Sequence, residues 1–236
     1  MCGIFGIVTE KEQPLGNILA EAAQRLTYRG YDSVGAATIS GDKVDLRKDV
    51  GRVKDVAVKY NFAEMRGQRG ITQLRWATFG EPSQVNAQPH LDSDGDIVGA
   101  HNGNVVNNVE LRQLFLSEGL TVRSMNDGES CVHAVERYVN RGEGFIVAIR
   151  HAYDDLHGDY AFVIGQTNDD KLYAIKKGSG LVVGLGEGLA CVASDLPSIL
   201  PITRRIVRIR DGLIASDEQQ SGGHELAGQG PVVARA

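Results

Sequence analysis

Only three of the 236 residues are cysteine: Cys2, Cys131 and Cys191. An odd number of widely spaced thiols does not make a disulfide framework and points to a reducing, cytoplasmic setting. No apolar run approaches the roughly 18 residues that cross a bilayer, so no membrane association is expected. No basic segment followed by a long apolar one opens the chain, so no secretory signal is read. Twenty-five basic residues face 30 acidic ones, a net charge of −5. That balance lacks the basic footprint of a nucleic-acid binder. The six histidines show no metal-ligand spacing, and DSDGD (92–96) has its glycine and its twelfth residue wrong for a calcium loop. Asp94-Gly95 reads instead as a hairpin turn. GLGEG (184–188) lacks dinucleotide-binding spacing, and there is no G-x-S-x-G elbow. No metal and no cofactor are expected.

What is present is ordinary for a globular domain: 42% apolar and 23% charged residues, in a length one layered domain can hold. GIFGIV (3–8) is a short apolar run suited to a buried strand. From Pro14, the apolar side chains Leu15, Ile18, Leu19, Ala22 and Leu26 follow helical spacing. A second helix is predicted from Asn107, with Glu110 completing a capping box, a buried face of Leu111, Leu114 and Phe115, and a stop at Gly119. A third starts near Asp127 and runs through Val132, Val135 and Val139. A fourth spans 145–156 and buries Ile146, Ile149, Ala152 and Tyr153. Strands follow at 159–166, 171–177, 181–185 and 205–210, with Asp211-Gly212 as a hairpin signal before LIAS. Residues 217–236 read as a polar tail or linker after a unit spanning 2–216. Helices and strands in blocks make an α+β layered domain.

The chain begins MCGIFG. Removal of Met1 would leave Cys2 with a thiol and a free α-amine, of reference pKa about 8.5 and roughly 7.7 to 8.0. The amine could then serve as the thiol's own base. Taken alone, Cys2 fits equally an arbitrary buried cysteine at the head of a strand. Four polar stretches without a packing purpose accompany it: RGYDSVG (29–35), QLRWATFGEPSQVNAQPH (73–90), HNGNVVNNVELR (101–112) and NDGES (126–130). Each singly reads as a turn or, in the last case, a helix cap.

In this order behind an N-terminal cysteine, these stretches resemble the class II glutamine amidotransferases, members of the N-terminal-nucleophile hydrolases. MCGIFGIV, YRGYDSVG, RWATFGEP, HNGNVVNNVELR, KKGSGLVVGLGEG and CVASDLPSILPITRR carry the likeness over roughly residues 2–215. It is strongest to the glutaminase domain of glucosamine-6-phosphate synthases (glutamine–fructose-6-phosphate aminotransferases). HNGN and NAQPH lean toward the amidophosphoribosyltransferases. The resemblance implies a four-layer αββα fold, L-glutamine as substrate, and attack by Cys2 on the side-chain amide to give a thioester and ammonia. It implies that Asn102 and Gly103 form the oxyanion hole, Arg75 takes the substrate α-carboxylate and Asp127 its α-ammonium. Thr78 becomes a further substrate contact, Trp76 a gate on the ammonia route, and Arg29 a residue ordering the loop beside Cys2. The competing readings are a structural ion pair for Arg75, a helix cap for Asp127 and a core aromatic for Trp76.

This chain departs from the synthase pattern at Gln73 and Phe79, usually histidine, and at Gly128, usually threonine. Those changes bear on affinity and specificity rather than on reaction type. A complete synthase also carries sugar-phosphate isomerase domains, so a separate synthase chain or domain is the expected receiver of ammonia. A non-catalytic glutamine-binding regulator is the alternative if Met1 is retained.

Overall fold

The computed structural model describes residues 2–77, 80–210 and 213–220. The chain runs β1 (Gly3–Pro14), α1 (Gly16–Arg25), β2 (Ser33–Ser40), β3 (Lys43–Val50), α2 (Val53–Lys59) and β4 (Arg66–Arg75). It continues with β5 (His90–Leu91), β6 (Ile97–Val105), α3 (Asn108–Ser117), α4 (Asp127–Val139) and α5 (Phe145–Asp155). The last elements are β7 (Gly158–Gln166), β8 (Tyr173–Lys177), β9 (Val182–Gly186), β10 (Leu189–Ala193), β11 (Arg205–Arg210) and β12 (Leu213–Gln219). Among the described residues the strands form two sheets, ordered β12-β11-β9-β10-β1-β4-β2-β3 and β5-β6-β7-β8.

Strand alternation divides the apolar side chains into three cores. Phe5 and Ile7 of β1, Val34 and Ala36 of β2 and Leu74 of β4 point outward onto Leu19, Ala22 and Ala23 of α1 and Val53 and Val56 of α2. Tyr160, Phe162 and Ile164 of β7 point the other way, onto Val132 and Val135 of α4 and Ala148 and Ile149 of α5. Between the sheets lie Ile4, Ala37, Ile39, Ile71, Val98, Ala100, Ala161 and Val163. Helix, sheet, sheet and helix make the four-layer αββα sandwich that the motifs imply. Arg69, 3% exposed, pins one end of the inter-sheet layer. Its guanidinium donates to the carbonyls of Gln166 (2.6 Å) and Thr167 (3.1 Å). Hydrogen bonds from a charged group are worth about 1.5 to 3 kcal/mol each, so this arginine ties β4 to the far edge of the other sheet. No described helix is long and apolar enough to cross a membrane.

Several local expectations change. HNGN lies inside β6 and QLR at the end of β4, so two of the supposed turns are strand. The capping box at Asn107 does not form: its side chain instead donates to the Asp155 carbonyl and accepts from the His157 N–H. In α5 the expected Ile149 and Ala152 are buried, but Ile146 is 50% exposed, Tyr153 only half-buried, and Ala148 completes the buried face. The boundary drawn after residue 216 falls within β12, whose Asp217, Glu218 and Gln219 pair with β11. The Asp211-Gly212 pair lies outside the described residues, although β11 and β12 do pair antiparallel. The Asp94-Gly95 turn is formed, with the Asp92 carboxylate accepting from the N–H groups of Gly95 and Ile97.

Helix α4 carries a buried charge cluster. His133 is fully buried, with Nδ1 2.5 Å from Glu136 and Nε2 3.6 Å from Glu129. Burial alone would lower its pKa, but the two carboxylates, Glu129 beside Nε2 and Glu136 hydrogen-bonded to Nδ1, outweigh this and the net shift is upward. A raised histidine pKa adds stability that is fully present below the unfolded value near 6.5 and is lost as pH rises through the folded value. His133→Gln is therefore expected to cost about 3 to 5 kcal/mol at pH 6, the range for breaking a buried pair. Thermal melts of parent and variant should converge toward pH 9; a gap independent of pH would refute the charged histidine.

Candidate functional site

The register between β1 and β4 sets the site. Gly3 pairs with Leu74 and Ile4 with Gln73, so one step further Cys2 stands opposite Arg75. Ser33 of β2 flanks Arg75 on its other side. Even-numbered residues of β1 share the inward face with Ile4, and odd-numbered residues of β4 share it with Ile71. Cys2, Gln73 and Arg75 thus extend the inter-sheet layer, and Asn102 joins them from β6 on the face of Val98 and Ala100. At this end the layer turns from apolar to polar.

Cys2 is held through both its backbone and its sulfur. Arg29 Nε donates to the Cys2 carbonyl at 3.1 Å, and Arg29 Nη1 reaches Asp195 Oδ2 at 3.1 Å. Tyr28 donates to the same carboxylate at 2.5 Å. The Trp76 N–H points at Sγ from 3.4 Å, and Sγ lies 3.7 Å from the Trp76 carbonyl. The Trp76 ring is 45% exposed and lies 5.7 Å from the Tyr31 ring, so it is not a core aromatic.

Two buried opposite charges flank the thiol. Arg75 is 1% exposed and donates to the carbonyls of Gly80 (2.8 Å) and Glu81 (3.3 Å). Asp127 is the first residue of α4, whose cap is Asn126, accepting from the Gly128 N–H at 2.9 Å. The helix-cap reading of Asp127 gives way accordingly. Its Oδ2 accepts from the Val105 N–H at 3.0 Å and stands 3.7 Å from His101 Nε2. Burial pushes the Cys2 thiol above its usual range; the Trp76 hydrogen bond lowers it, the Asp127 carboxylate adds to the rise and the Arg75 guanidinium opposes it. Cys2, Arg75 and Asp127 therefore share one electrostatic neighbourhood.

The open edge of β6 completes the arrangement. His101 N–H donates to Gln88 Oε1 at 2.6 Å and Val105 N–H to Asp127. Alternation places the Gly103 N–H on the same edge, between them. Gly103 has φ +111°, and a Cβ there would stand 2.1 Å from the Asp159 carbonyl oxygen. Only glycine fits. Asn102 is 1% exposed, and its Oδ1 has no hydrogen-bond partner among the described residues; nor do Gln73 Oε1 and the two His101 ring nitrogens. Buried polar atoms are nearly always paired, so the Asn102 and Gln73 orphans, on the face that Cys2 shares, mark a place built for a polar ligand. Thr78 and Phe79 lie outside the described residues. No group of three or more described His, Cys, Asp or Glu residues is placed to hold a metal ion.

A family model described as a glutamine amidotransferase domain matches residues 74–201. The chain belongs to that family. The glutamine–fructose-6-phosphate aminotransferase (isomerizing) of Pyrobaculum aerophilum is 41% identical over 215 residues, 90% of this chain and 36% of that protein. Its counterpart in Sulfurisphaera tokodaii is 41% identical over 212 residues, 89% of this chain and again 36% of the relative. This chain thus spans little more than a third of the curated relatives it matches. Among solved structures, the glutamine phosphoribosylpyrophosphate amidotransferase from B. subtilis, complexed with ADP and GMP, superposes with a TM-score of 0.73 at 24% identity. The match covers 92% of this chain and 49% of that one, and it is a likeness of fold.

Sequence reasoning missed Asp195, Asp32 and Gln88. Asp195 sits in the SDLPS turn, far from Arg29 in sequence, and only folding joins them. Asp32 accepts from the Ala77 N–H at 2.8 Å while its own N–H bonds the Arg75 carbonyl; its place within RGYDSVG was the available signal. Arg29→Met should free the Cys2 carbonyl while costing only about 1 to 2 kcal/mol, since the Arg29–Asp195 pair is partly exposed. Iodoacetamide should then label Cys2 several-fold faster with little change in melting temperature. An unchanged labelling rate would mean that Arg29 does not restrain the nucleophile.

Proposed function

We propose that this chain hydrolyses the side-chain amide of L-glutamine to glutamate and ammonia through a Cys2 thioester. The observation that carries the reading is Cys2 standing opposite Arg75 in the strand register, with the buried guanidinium of Arg75 and the buried carboxylate of Asp127 both acting on its thiol. A free amino acid presents an α-carboxylate and an α-ammonium, which need opposite charges at fixed places. Arg75 offers a planar fork for the first and Asp127 an acceptor for the second. Thr78 adds a polar contact to the bound amino acid.

Because burial raises the thiol pKa, the thiolate has to be made at the moment of attack. Once Met1 is removed, the Cys2 α-amine accepts the thiol proton and sulfur bonds the amide carbon. The Asn102 side-chain amide and the Gly103 N–H hold the resulting oxyanion, each donor being worth about 3 to 4 kcal/mol. The amine returns the proton to the leaving nitrogen, the C–N bond breaks, and ammonia departs. Water, deprotonated by the same amine, then cleaves the thioester, releasing glutamate and restoring the thiol. Trp76, exposed beside the sulfur, gates the departure of ammonia. Relatives named glutamine–fructose-6-phosphate aminotransferase favour a sugar phosphate as acceptor, held by a synthase (sugar-phosphate isomerase) chain or domain. Reactions of this kind run in the cytoplasm.

Glutamate release by two preparations of defined N-terminal mass, beginning at Met1 or at Cys2, tests the reading. The form beginning at Cys2 should be active and its Cys2→Ala variant inactive but folded; a glutamine-analogue electrophile should label Cys2 and spare Cys131 and Cys191. The form retaining Met1 should be nearly inactive, because its Cys2 nitrogen is an amide without a basic lone pair. Equal rates would remove the α-amine as base. Glutamine binding without turnover in both forms would make the chain a regulator instead.

A further inference from the structure

The His101 peptide is gripped from both sides by side-chain amides. Its N–H donates to Gln88 Oε1 at 2.6 Å, and its carbonyl accepts from Gln73 Nε2 at 3.2 Å. Gln73 belongs to β4, in the opposite sheet, two residues before Arg75. Gln88 is 1% exposed, and its own backbone is braced by Lys48, whose Nζ donates to the carbonyls on either side of it, Ala87 at 2.6 Å and Pro89 at 3.0 Å. Past Gly99, which pairs with His90, no described strand covers the outer edge of β6. There these side chains replace a neighbouring strand, immediately before Asn102 and Gly103.

Gly128 is what gives Gln88 its room. A Cβ at 128 would stand 2.7 Å from Gln88 Oε1 and 2.9 Å from its Cδ, and 2.7 Å from Asn126 Oδ1. Both neighbours are ends of flexible side chains, so an added methyl would displace the Gln88 amide from His101 rather than prevent folding. Gln73 and Gly128 thus belong to one contact set around Gln88 and the His101 backbone.

We propose that Gln88 is a positioning residue for the reaction: with Gln73 it clamps the His101 peptide so that the Asn102 and Gly103 donors stay aimed at the substrate amide, and Gly128 is the space that lets it do so. This rests on the glutaminase reading above. A group acting on donor aim should lower kcat and leave KM nearly alone. Small misplacements of catalytic groups cost up to about 100-fold.

The test measures steady-state glutamate release by the full chain, and amide hydrogen exchange across residues 97–105, in Gln88→Leu, Gly128→Ala and their double variant. Gln88→Leu should lower kcat by about 10- to 100-fold with KM within about threefold, and exchange at His101 should accelerate. Gly128→Ala should do the same while still folding cooperatively, any fall in melting temperature reporting the Asn126 cap that the new Cβ also crowds. The double variant should be no worse than the poorer single one, since both act through one contact. Unchanged exchange in Gln88→Leu, unchanged kcat with faster exchange, or multiplicative losses in the double variant would each overturn the proposal. Should Gln88→Leu fail to fold, Gly128→Ala alone decides, by the same changes in kcat and exchange. A parent chain without glutaminase activity defeats the functional reading, and the exchange data then decide whether the clamp exists.

Discussion

Pairing of Gly3 with Leu74 across β1 and β4 turns Cys2, Gln73 and Arg75 to one face, toward the other sheet. Antiparallel strands alternate their side chains with period two, so a slip of one residue would turn the whole set to the other face. The slip is forbidden by the apolar residues further along the same strands. Ile4 and Ile71 must face the opposite sheet, while Phe5, Ile7 and Leu74 must face α1. Hydrophobic burial of about 1.5 to 3 kcal/mol per large side chain therefore enforces the register that sets Cys2 opposite Arg75.

The inter-sheet layer is polar at both ends and apolar between them. At one end Arg69 finds backbone carbonyls in the other sheet. At the other end, Arg75, Asp127, Gln73, His101 and Asn102 are almost fully buried, and among the described residues Gln73 Oε1, Asn102 Oδ1 and the His101 ring nitrogens have no hydrogen-bond partner. Each such orphan costs about 1 to 3 kcal/mol. A fold tolerates that expense where a polar ligand can relieve it.

The four helices with periodic apolar faces, the late strands and the hairpin at Asp94-Gly95 were legible in the sequence because each obeys a simple local rule. β2, β3, β4 and α2 were not. RGQRGITQLR carries Arg69, Gln73 and Arg75 on what becomes an inward face, so polar residues interrupt the alternation that would announce a strand. HNGN looked like a turn because Asn-Gly is the usual turn signal, yet it is strand whose glycine adopts φ +111° against the Asp159 carbonyl. The site was legible as an ordered set of motifs, and Cys2, Arg29, Arg75, Trp76 and Asp127 do converge. Asp195 and Gln88 act through contacts 166 and 13 residues away in sequence, which no local pattern encodes.

One histidine lies close to the site, and its placement bears on who can be the base. His101 precedes Asn102 on β6, so its ring points to the helix layer while the Asn102 side chain enters the slot. Its Nε2 stands beside Asp127, not beside the sulfur, and its backbone rather than its ring is engaged by Gln73 and Gln88. Burial lowers its pKa, and the Asp127 carboxylate only partly offsets this. Rotating the ring toward Cys2 would require β6 to reverse its faces and expose Ile97 and Val105, now packed against the helices. The strand that carries Asn102 and Gly103 therefore keeps this ring from pairing with the thiol, which supports the α-amine of Cys2 as the base in the proposed reaction.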